Sequence, residues 1–163
     1  MTIQQGICTP VEAEGERAMS VGSVCVRDVD LAEPDESVQT AAQRMHSRKV
    51  GTLVVLNEDR KPIGMITDRD LTVRVLAHAR DPFQTTVSDV MTRTVHAIGE
   101  EEPVEAALSV MRSASVRRVP VVDKAGQLVG LVSLDDILTL LTEEFNAIGK
   151  LLEQESPDSL ARD

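Results

Sequence analysis

Two octapeptides with one pattern occur 66 positions apart: IGMITDRD at residues 63–70 and VGLVSLDD at residues 129–136. Each carries glycine in second place, an apolar pair after it, a hydroxyl residue in fifth place and aspartate in eighth place. The match extends outward at the same offset, so that residues 21–71 align with residues 87–137 without a gap. The chain therefore contains an internal repeat.

Each copy predicts the element order β-α-β-β-α. A short extended segment comes first, and an acidic, proline-bearing helix start follows at residues 33–36 or 100–103. A helix, a hairpin and a second helix that starts at Thr67 or Ser133 complete the copy. The second hairpin strand, residues 63–66 or 129–132, is apolar throughout, which predicts burial on both faces.

These patterns predict an α/β (α+β) fold in which the two copies pack about a pseudo-twofold axis into one module. The predicted organisation is a flexible segment 1–18, a first motif 19–76, a linker 77–86, a second motif 87–141, an amphipathic helix 142–155 and a disordered tail 156–163. Two alternatives stay open for that helix, which either packs on its own domain or contacts a dimer partner or another protein.

Composition excludes several classes of function. A net charge of −10 and only two aromatic residues, Phe83 and Phe145, argue against general nucleic-acid binding. The only cysteines, Cys8 and Cys25, form no CxxC pair, which favours a reducing compartment. No signal-like leader or long apolar run occurs, so we expect a cytoplasmic protein without a membrane partner.

The paired octapeptides, together with VRRVPVVD at residues 116–123, resemble the CBS motif, and the resemblance covers about residues 20 to 140. It implies that two CBS motifs form one module with two clefts. It further implies that the clefts bind AMP, ADP, ATP or S-adenosylmethionine, and that no catalytic cofactor is needed. A role in signal transduction follows from the resemblance, with homodimer formation and action on a separate effector protein.

The resemblance assigns ligand-binding roles to the residues at each helix start. Asp70 and Asp136 are expected to accept hydrogen bonds from ribose hydroxyls, and Thr67 and Ser133 to bind ribose or phosphate oxygen. The same spacing is also that of a capping box, in which these residues serve the helix alone. Both roles stay open, and they are not exclusive.

The resemblance also points to the strand that opens the second hairpin. Arg117 and Arg118 look like a basic pair that reaches phosphates, and Pro120 like a residue beside the purine. The first copy has Gly51, Thr52 and Val54 at these positions, so the two clefts should differ. Arg48 and Lys49 either compensate or form a solvated helix end. Candidate aliphatic walls for adenine are Val29, Val50, Val95 and Val116.

Candidate catalytic side chains are scattered along the sequence: His46, His78, His96, Cys8 and Cys25. Because no spacing matches a nucleophile set or a metal-ligand set, we expect neither an enzyme nor a metal site. The rival hypothesis is a scaffold or dimerisation protein whose clefts are vestigial and which acts through its C-terminal helix.

Overall fold

The computed structural model describes residues 19–154. Its first repeat contains α1 (Val21–Val24), β1 (Leu31–Ala32), α2 (Val38–Arg48), β2 (Thr52–Leu56), β3 (Pro62–Thr67) and α3 (Asp68–Asp70). Its second repeat contains α4 (Val87–Val90), β4 (Ile98–Gly99), α5 (Val104–Ala114), β5 (Arg118–Val122), β6 (Leu128–Ser133) and α6 (Leu134–Gln154). The segments predicted as flexible (1–18) and disordered (156–163) lie outside the described residues.

Each repeat forms one three-stranded sheet, in the orders β1-β2-β3 and β4-β5-β6. The first two strands of each sheet are parallel, and the last two form an antiparallel hairpin. Equivalent registers occur in both hairpins, where Thr52 pairs with Thr67 and Arg118 with Ser133. The predicted mixed fold and its tandem symmetric repeats are confirmed.

The opening segments exchange between the repeats. Each was predicted to be extended, but residues 21–24 and 87–90 form one helical turn. Val21 packs in the core of the second repeat, and Val87 and Val90 pack in the core of the first. Backbone hydrogen bonds fix the exchange, since Val21 N–H donates to Glu102 O (2.8 Å) and Val87 N–H donates to Glu36 O (2.9 Å). Each core is therefore incomplete without the other repeat.

Two glycines allow this exchange. A Cβ at Gly130 would lie 2.6 Å from Cys25 Sγ and 3.0 Å from Val26 O, and a Cβ at Gly64 would overlap the Met91 side chain. Cys25 and Met91 directly follow the one-turn helices of the exchanged segments. The second residue of each octapeptide is thus the place where the partner repeat's backbone approaches the sheet closely.

The apolar sequence of the second hairpin strand predicted burial on both faces, and this prediction is wrong. In β3, Gly64 and Ile66 are fully buried, but Ile63 and Met65 are only half-buried. β6 shows the same alternation. Met65 and its counterpart Leu131 line the clefts described below. The backbone of Met65 also contacts the other repeat, since its N–H donates to Thr92 O (3.0 Å).

The final helices of the repeats differ. In the first repeat α3 continues through a π-helical turn (Leu71–Val75) and a 3-10 turn (Leu76–His78) and ends at Ala79, which has a φ of 50°. In the second repeat α6 runs unbroken to Gln154 across the predicted boundary at residue 142. No helix among residues 19–154 has the length and apolar character needed to cross a membrane.

Candidate functional site

Two clefts lie between the repeats, and they are built from equivalent positions. The first cleft has a volume of about 610 Å³ and the second about 260 Å³. Each residue that lines the second cleft has its counterpart, at an offset of 66 positions, in the lining of the first. The second cleft is lined by Val26, Asp28, Asp30, Lys49, Val50, Gly51, Thr52, Arg118, Leu131, Ser133 and Asp136. The first is lined by Thr92, Thr94, His96, Ser115, Val116, Arg117, Arg118, Thr52, Met65, Thr67 and Asp70, with Asp68 and Arg69 in addition.

Each cleft combines the helix start of one repeat with the strand of the other. Thr67 and Asp70 from the first repeat share the first cleft with Arg117 and Arg118 from the second. Ser133 and Asp136 line the second cleft with residues 49–52 of the first repeat. Two antiparallel bridges between the repeats hold this arrangement, since Val26 pairs with Leu131 in the second cleft and Thr92 pairs with Met65 in the first.

Both helix starts contain the capping box that the sequence allowed as an alternative. Thr67 Oγ1 accepts from Asp70 N–H (3.1 Å), and Asp70 Oδ2 accepts from the Thr67 N–H (2.9 Å) and hydroxyl (2.8 Å). Ser133 and Asp136 repeat these bonds at 3.1, 2.8 and 2.6 Å. In each pair the bonds use one carboxylate oxygen, Oδ2, so the caps do not occupy Oδ1.

The Oδ1 atoms of Asp70 and Asp136, which the caps do not use, have different surroundings. Asp70 Oδ1 lies 3.1 Å from Arg74 Nη2, and Arg74 also donates to Val90 O (2.5 Å) and Thr92 Oγ1 (3.0 Å). The counterpart of Arg74 in the second repeat is Leu140. Within residues 19–154, Asp136 therefore makes no equivalent ion pair. Arg74 ties the first-cleft carboxylate to the segment that forms the opposite wall.

Thr52 is a site residue that sequence reasoning missed. It is only 7% exposed, it lines both clefts, and its Oγ1 has no hydrogen-bond partner among the described residues. A buried hydroxyl without a partner is costly, which makes it a candidate contact for a bound molecule. The signal that could have found it is its equivalence to Arg118 in the internal repeat.

The basic pair lies together in the first cleft. Arg117 is exposed and Arg118 is half-buried, and Arg118 also lines the second cleft. His96 and Arg69, which the sequence analysis did not assign, lie in the first cleft as well. Arg69 occupies a variable position of the octapeptide, and His96 lies in the irregular stretch just before β4.

Only two of the four valines predicted to form aliphatic walls line the clefts. Val116 lines the first cleft and Val50 the second, beside Met65 and Leu131 respectively. Neither Val29 nor Val95 lines these two clefts, since the alternate residues of the same segments, such as Asp28 and Thr94, face them instead. Pro120 is fully buried in β5, opposite Leu131, and it lines neither cleft.

Arg48 and Lys49 have different surroundings in the structure. Lys49 lines the second cleft, whereas Arg48 donates from Nε to Asp30 Oδ1 (2.7 Å) and from Nη2 to Asp28 Oδ2 (2.9 Å). The hydrogen bond and negative charge of Asp30 raise the pKa of Arg48. Arg48 is thus neither a free cation nor a simple solvated helix end, because it neutralises part of the acidic wall of the second cleft.

The remaining histidines and cysteines considered as catalytic or metal-binding groups do not lie together among the described residues. His46 and His78 are exposed, Cys8 lies outside the described residues, and Cys25 packs against Gly130. Burial raises the pKa of the Cys25 thiol, which lowers its thiolate fraction. Residues 19–154 contain no group of three His, Cys, Asp or Glu side chains placed to hold a metal ion.

Comparison with known proteins identifies the family of both repeats. A family model described as the CBS domain matches residues 21–77 and 87–143. An uncharacterised protein of Methanopyrus kandleri, MK0525, is 37% identical over 122 residues, which are 75% of this chain but only 62% of that protein. Hypoxic response protein 1 of Mycobacterium tuberculosis is 32% identical over 125 residues, which are 77% of this chain and 82% of that protein.

Solved structures show the same architecture. One is the CBS domain pair of protein MJ0100 in complex with 5′-methylthioadenosine and S-adenosyl-L-methionine. It matches with a TM-score of 0.70 at 28% sequence identity, over 78% of this chain and 98% of that one. That protein is built as a pair of motifs, which is also the arrangement of the two repeats described above.

Proposed function

The chain belongs to the CBS-domain family, and from this membership we propose that it is a regulatory module whose clefts bind an adenosine-containing ligand. In this proposal the protein is a sensor and not an enzyme. It acts in the cytoplasm, and it passes the binding signal to a separate effector protein.

One observation carries the proposal. The first cleft brings a carboxylate with an uncapped oxygen, Asp70, into the same cavity as Arg117 and Arg118 from the other repeat. A ribose offers two adjacent hydroxyls, which a carboxylate can accept as hydrogen bonds. A guanidinium group binds phosphate oxygens in a bidentate manner. The cleft thus offers partners for ribose and for phosphate within about 610 Å³.

The remaining lining suits a purine. Val116 and Met65 present aliphatic surface to the first cleft, and Val50 and Leu131 present it to the second. Thr52 adds a buried hydroxyl that lacks a partner among the described residues, so a purine nitrogen or ribose oxygen would satisfy it. The complex of the MJ0100 domain pair with two adenosine derivatives supports the same ligand class for this chain.

Among the candidate ligands, the arginines of the first cleft favour AMP, ADP or ATP there. Three arginines line this cleft, Arg69, Arg117 and Arg118, against the two carboxylates Asp68 and Asp70. Since Asp70 is paired with Arg74, the balance of charge at the cleft is positive. A phosphate-bearing ligand gains most from that balance.

Thermal unfolding in the presence of ligand tests the proposal. A ligand that binds only the folded state stabilises it by mass action, by about 2.7 kcal/mol at a concentration 100 times Kd. Asp70→Asn keeps an oxygen for the cap but removes the charge, so we expect AMP affinity to fall about 10 to 150-fold. No ligand-dependent change in Tm for AMP, ADP, ATP or S-adenosylmethionine would refute the sensor function.

A scaffold function is the second candidate, because α6 exposes an apolar stripe. The exposed fractions are 51% for Leu138, 45% for Leu141, 72% for Phe145, 51% for Ile148 and 66% for Leu152. Their alternating spacing of three and four residues is that of helices which pair. The exposure of these side chains supports the alternative in which the helix contacts a partner.

On this basis we also propose a homodimer that uses the stripe. Removal of residues 142–163 leaves every cleft residue in place but removes most of the stripe. Truncation should therefore abolish a dimer that depends on the helix without changing ligand binding in the clefts. A scaffold predicts loss of the dimer, measured by sedimentation velocity, with no nucleotide response in either form. Retention of the dimer after truncation would contradict a role for the helix.

A further inference from the structure

The two clefts differ in charge at equivalent positions. Thr94 and His96 of the first cleft are replaced by Asp28 and Asp30 in the second, and Arg117 is replaced by Gly51. The second cleft is consequently lined by three carboxylates, Asp28, Asp30 and Asp136, with Lys49 and Arg118 as its cations. It lacks the excess of guanidinium groups that marks the first cleft.

The acidic wall of the second cleft already attracts a cation. Arg48 donates to Asp30 at 2.7 Å and to Asp28 at 2.9 Å. The Asp30 side chain is only 13% exposed, so its carboxylate is largely removed from solvent. The position equivalent to Arg48 in the second repeat is Ala114, and the first cleft therefore has no matching ion pair.

A second feature of this cleft, shared with the first, suits a bound ligand. Thr52 lines it, is 7% exposed, and leaves its Oγ1 without a partner among the described residues. A neutral hydroxyl contributes a hydrogen bond without a preference for charge. The charge preference of the cleft then comes from its carboxylates.

We infer that the second cleft binds adenosine-type ligands that carry no phosphate, with an uncharged or cationic substituent in its place. This inference rests on the proposed function and assigns a different ligand class to each cleft. A phosphate placed here would lie beside carboxylates of the same sign, which disfavours binding. An ammonium or sulfonium group would share Asp28 and Asp30 with Arg48.

Calorimetric titration with three probes tests the assignment: adenosine, AMP and 5′-amino-5′-deoxyadenosine. AMP carries an anionic phosphate at the 5′ position and the amine a cationic ammonium group, whereas adenosine carries a neutral hydroxyl there. For the wild-type chain, we expect adenosine to fill both clefts, AMP to fill one per chain, and the amine to bind with an enthalpy that depends on Asp28 and Asp30.

Two sets of variants move the amine affinity in opposite directions. Asp28→Asn with Asp30→Asn weakens amine binding about tenfold, leaves adenosine within about twofold, and raises the AMP stoichiometry above one per chain. Arg48→Ala removes the competing cation and strengthens amine binding. The matched control is Asp35→Asn with Asp59→Asn, which removes two exposed carboxylates that line neither cleft.

The outcomes separate the inference from the proposed function. Binding of two AMP per wild-type chain, or equal amine affinity in the wild type and the Asp28→Asn, Asp30→Asn variant, overturns the inference and leaves the sensor function standing. A chain that binds none of the three probes overturns the inference, and silence toward ADP, ATP and S-adenosylmethionine as well overturns the proposed function. Because the Arg48 and aspartate variants are expected to change affinity with opposite sign, a general loss of folding cannot imitate the expected result.

Discussion

Thr52 and Arg118 occupy the same position in the two repeats, and each side chain lines both clefts. Each residue begins the first strand of its hairpin, opposite Thr67 or Ser133. The centre of the module thus carries a buried hydroxyl on one side and a guanidinium group on the other. The two clefts are built from equivalent backbone positions, and the difference between Thr52 and Arg118 makes their side-chain chemistry unequal.

Replacement of Thr52 by valine should raise the stability of the ligand-free protein. The hydroxyl has no partner among the described residues, so its removal relieves desolvation of up to about 1 kcal/mol, or about 2–4 °C in Tm. Thr85→Val is the matched control, because Thr85 is also buried but donates to Asp81 O at 2.8 Å, and its loss should lower Tm. A lower Tm for Thr52→Val would contradict the account of this residue.

Arg117→Ala combined with Arg118→Ala should weaken AMP and ATP more than adenosine. Charge-assisted hydrogen bonds to phosphate are worth about 1.5–3 kcal/mol, or about 10 to 150-fold in affinity. Arg112→Ala, an exposed arginine on α5 that lines neither cleft, serves as the control. Equal losses for all three ligands, measured by calorimetry, would refute a phosphate role.

A methyl group at Gly130 should destabilise the fold, because it would meet Cys25 Sγ at 2.6 Å and Val26 O at 3.0 Å. We expect Gly130→Ala to cost about 1–3 kcal/mol in denaturant unfolding. A methyl group at Gly149 on α6 would meet no atom within 4 Å. Gly149→Ala should therefore leave stability unchanged or raise it by up to about 1 kcal/mol. If the two substitutions had equal effects, the close approach of the exchanged segment would be refuted.

The start of α4 gives a pH-dependent prediction. Asp89 accepts from Thr86 N–H at 3.0 Å, and this hydrogen bond lowers the pKa of the Asp89 carboxyl below its ordinary value of 3.8. Its stabilising effect is therefore fully present above pH 3.8 and is lost as the pH falls through the lower folded-state pKa.

The variant Asp89→Asn reveals this contribution. At neutral pH we expect its Tm to lie below that of the wild type, and the difference should vanish in strong acid, where Asp89 is protonated. A difference in Tm that stays constant from neutral to strongly acidic pH would show that the ionised carboxylate is not the source.

Much of the fold was predictable because the internal repeat is ungapped. The two hairpins, the two central helices and the helix starts at Thr67 and Ser133 all follow from local patterns. The exchange of Val21 and Val87 between cores was not predictable, since self-alignment shows which residues are equivalent but not which copy they pack against. The one-turn helices at these positions are set by that packing.

The candidate site was predictable to a smaller extent. The octapeptide and strand patterns predicted binding roles for Thr67, Asp70, Arg117 and Arg118, and the structure places these four residues in one cleft. They did not identify Thr52, whose role depends on being buried without a partner, or Asp28 and Asp30, which reach the second cleft only through the exchange. The same reasoning placed Pro120 beside a ligand, whereas sheet pairing buries it in β5.

Calorimetric titration of the purified, nucleotide-stripped chain with AMP, ADP, ATP and S-adenosylmethionine, with and without magnesium, tests the central claim most directly. The account predicts saturable binding of at least one phosphate-bearing nucleotide, and a weaker affinity for it in the Arg117→Ala, Arg118→Ala variant. Silence for all four ligands, at protein concentrations that detect millimolar affinity, would contradict a sensor and favour the scaffold built on α6.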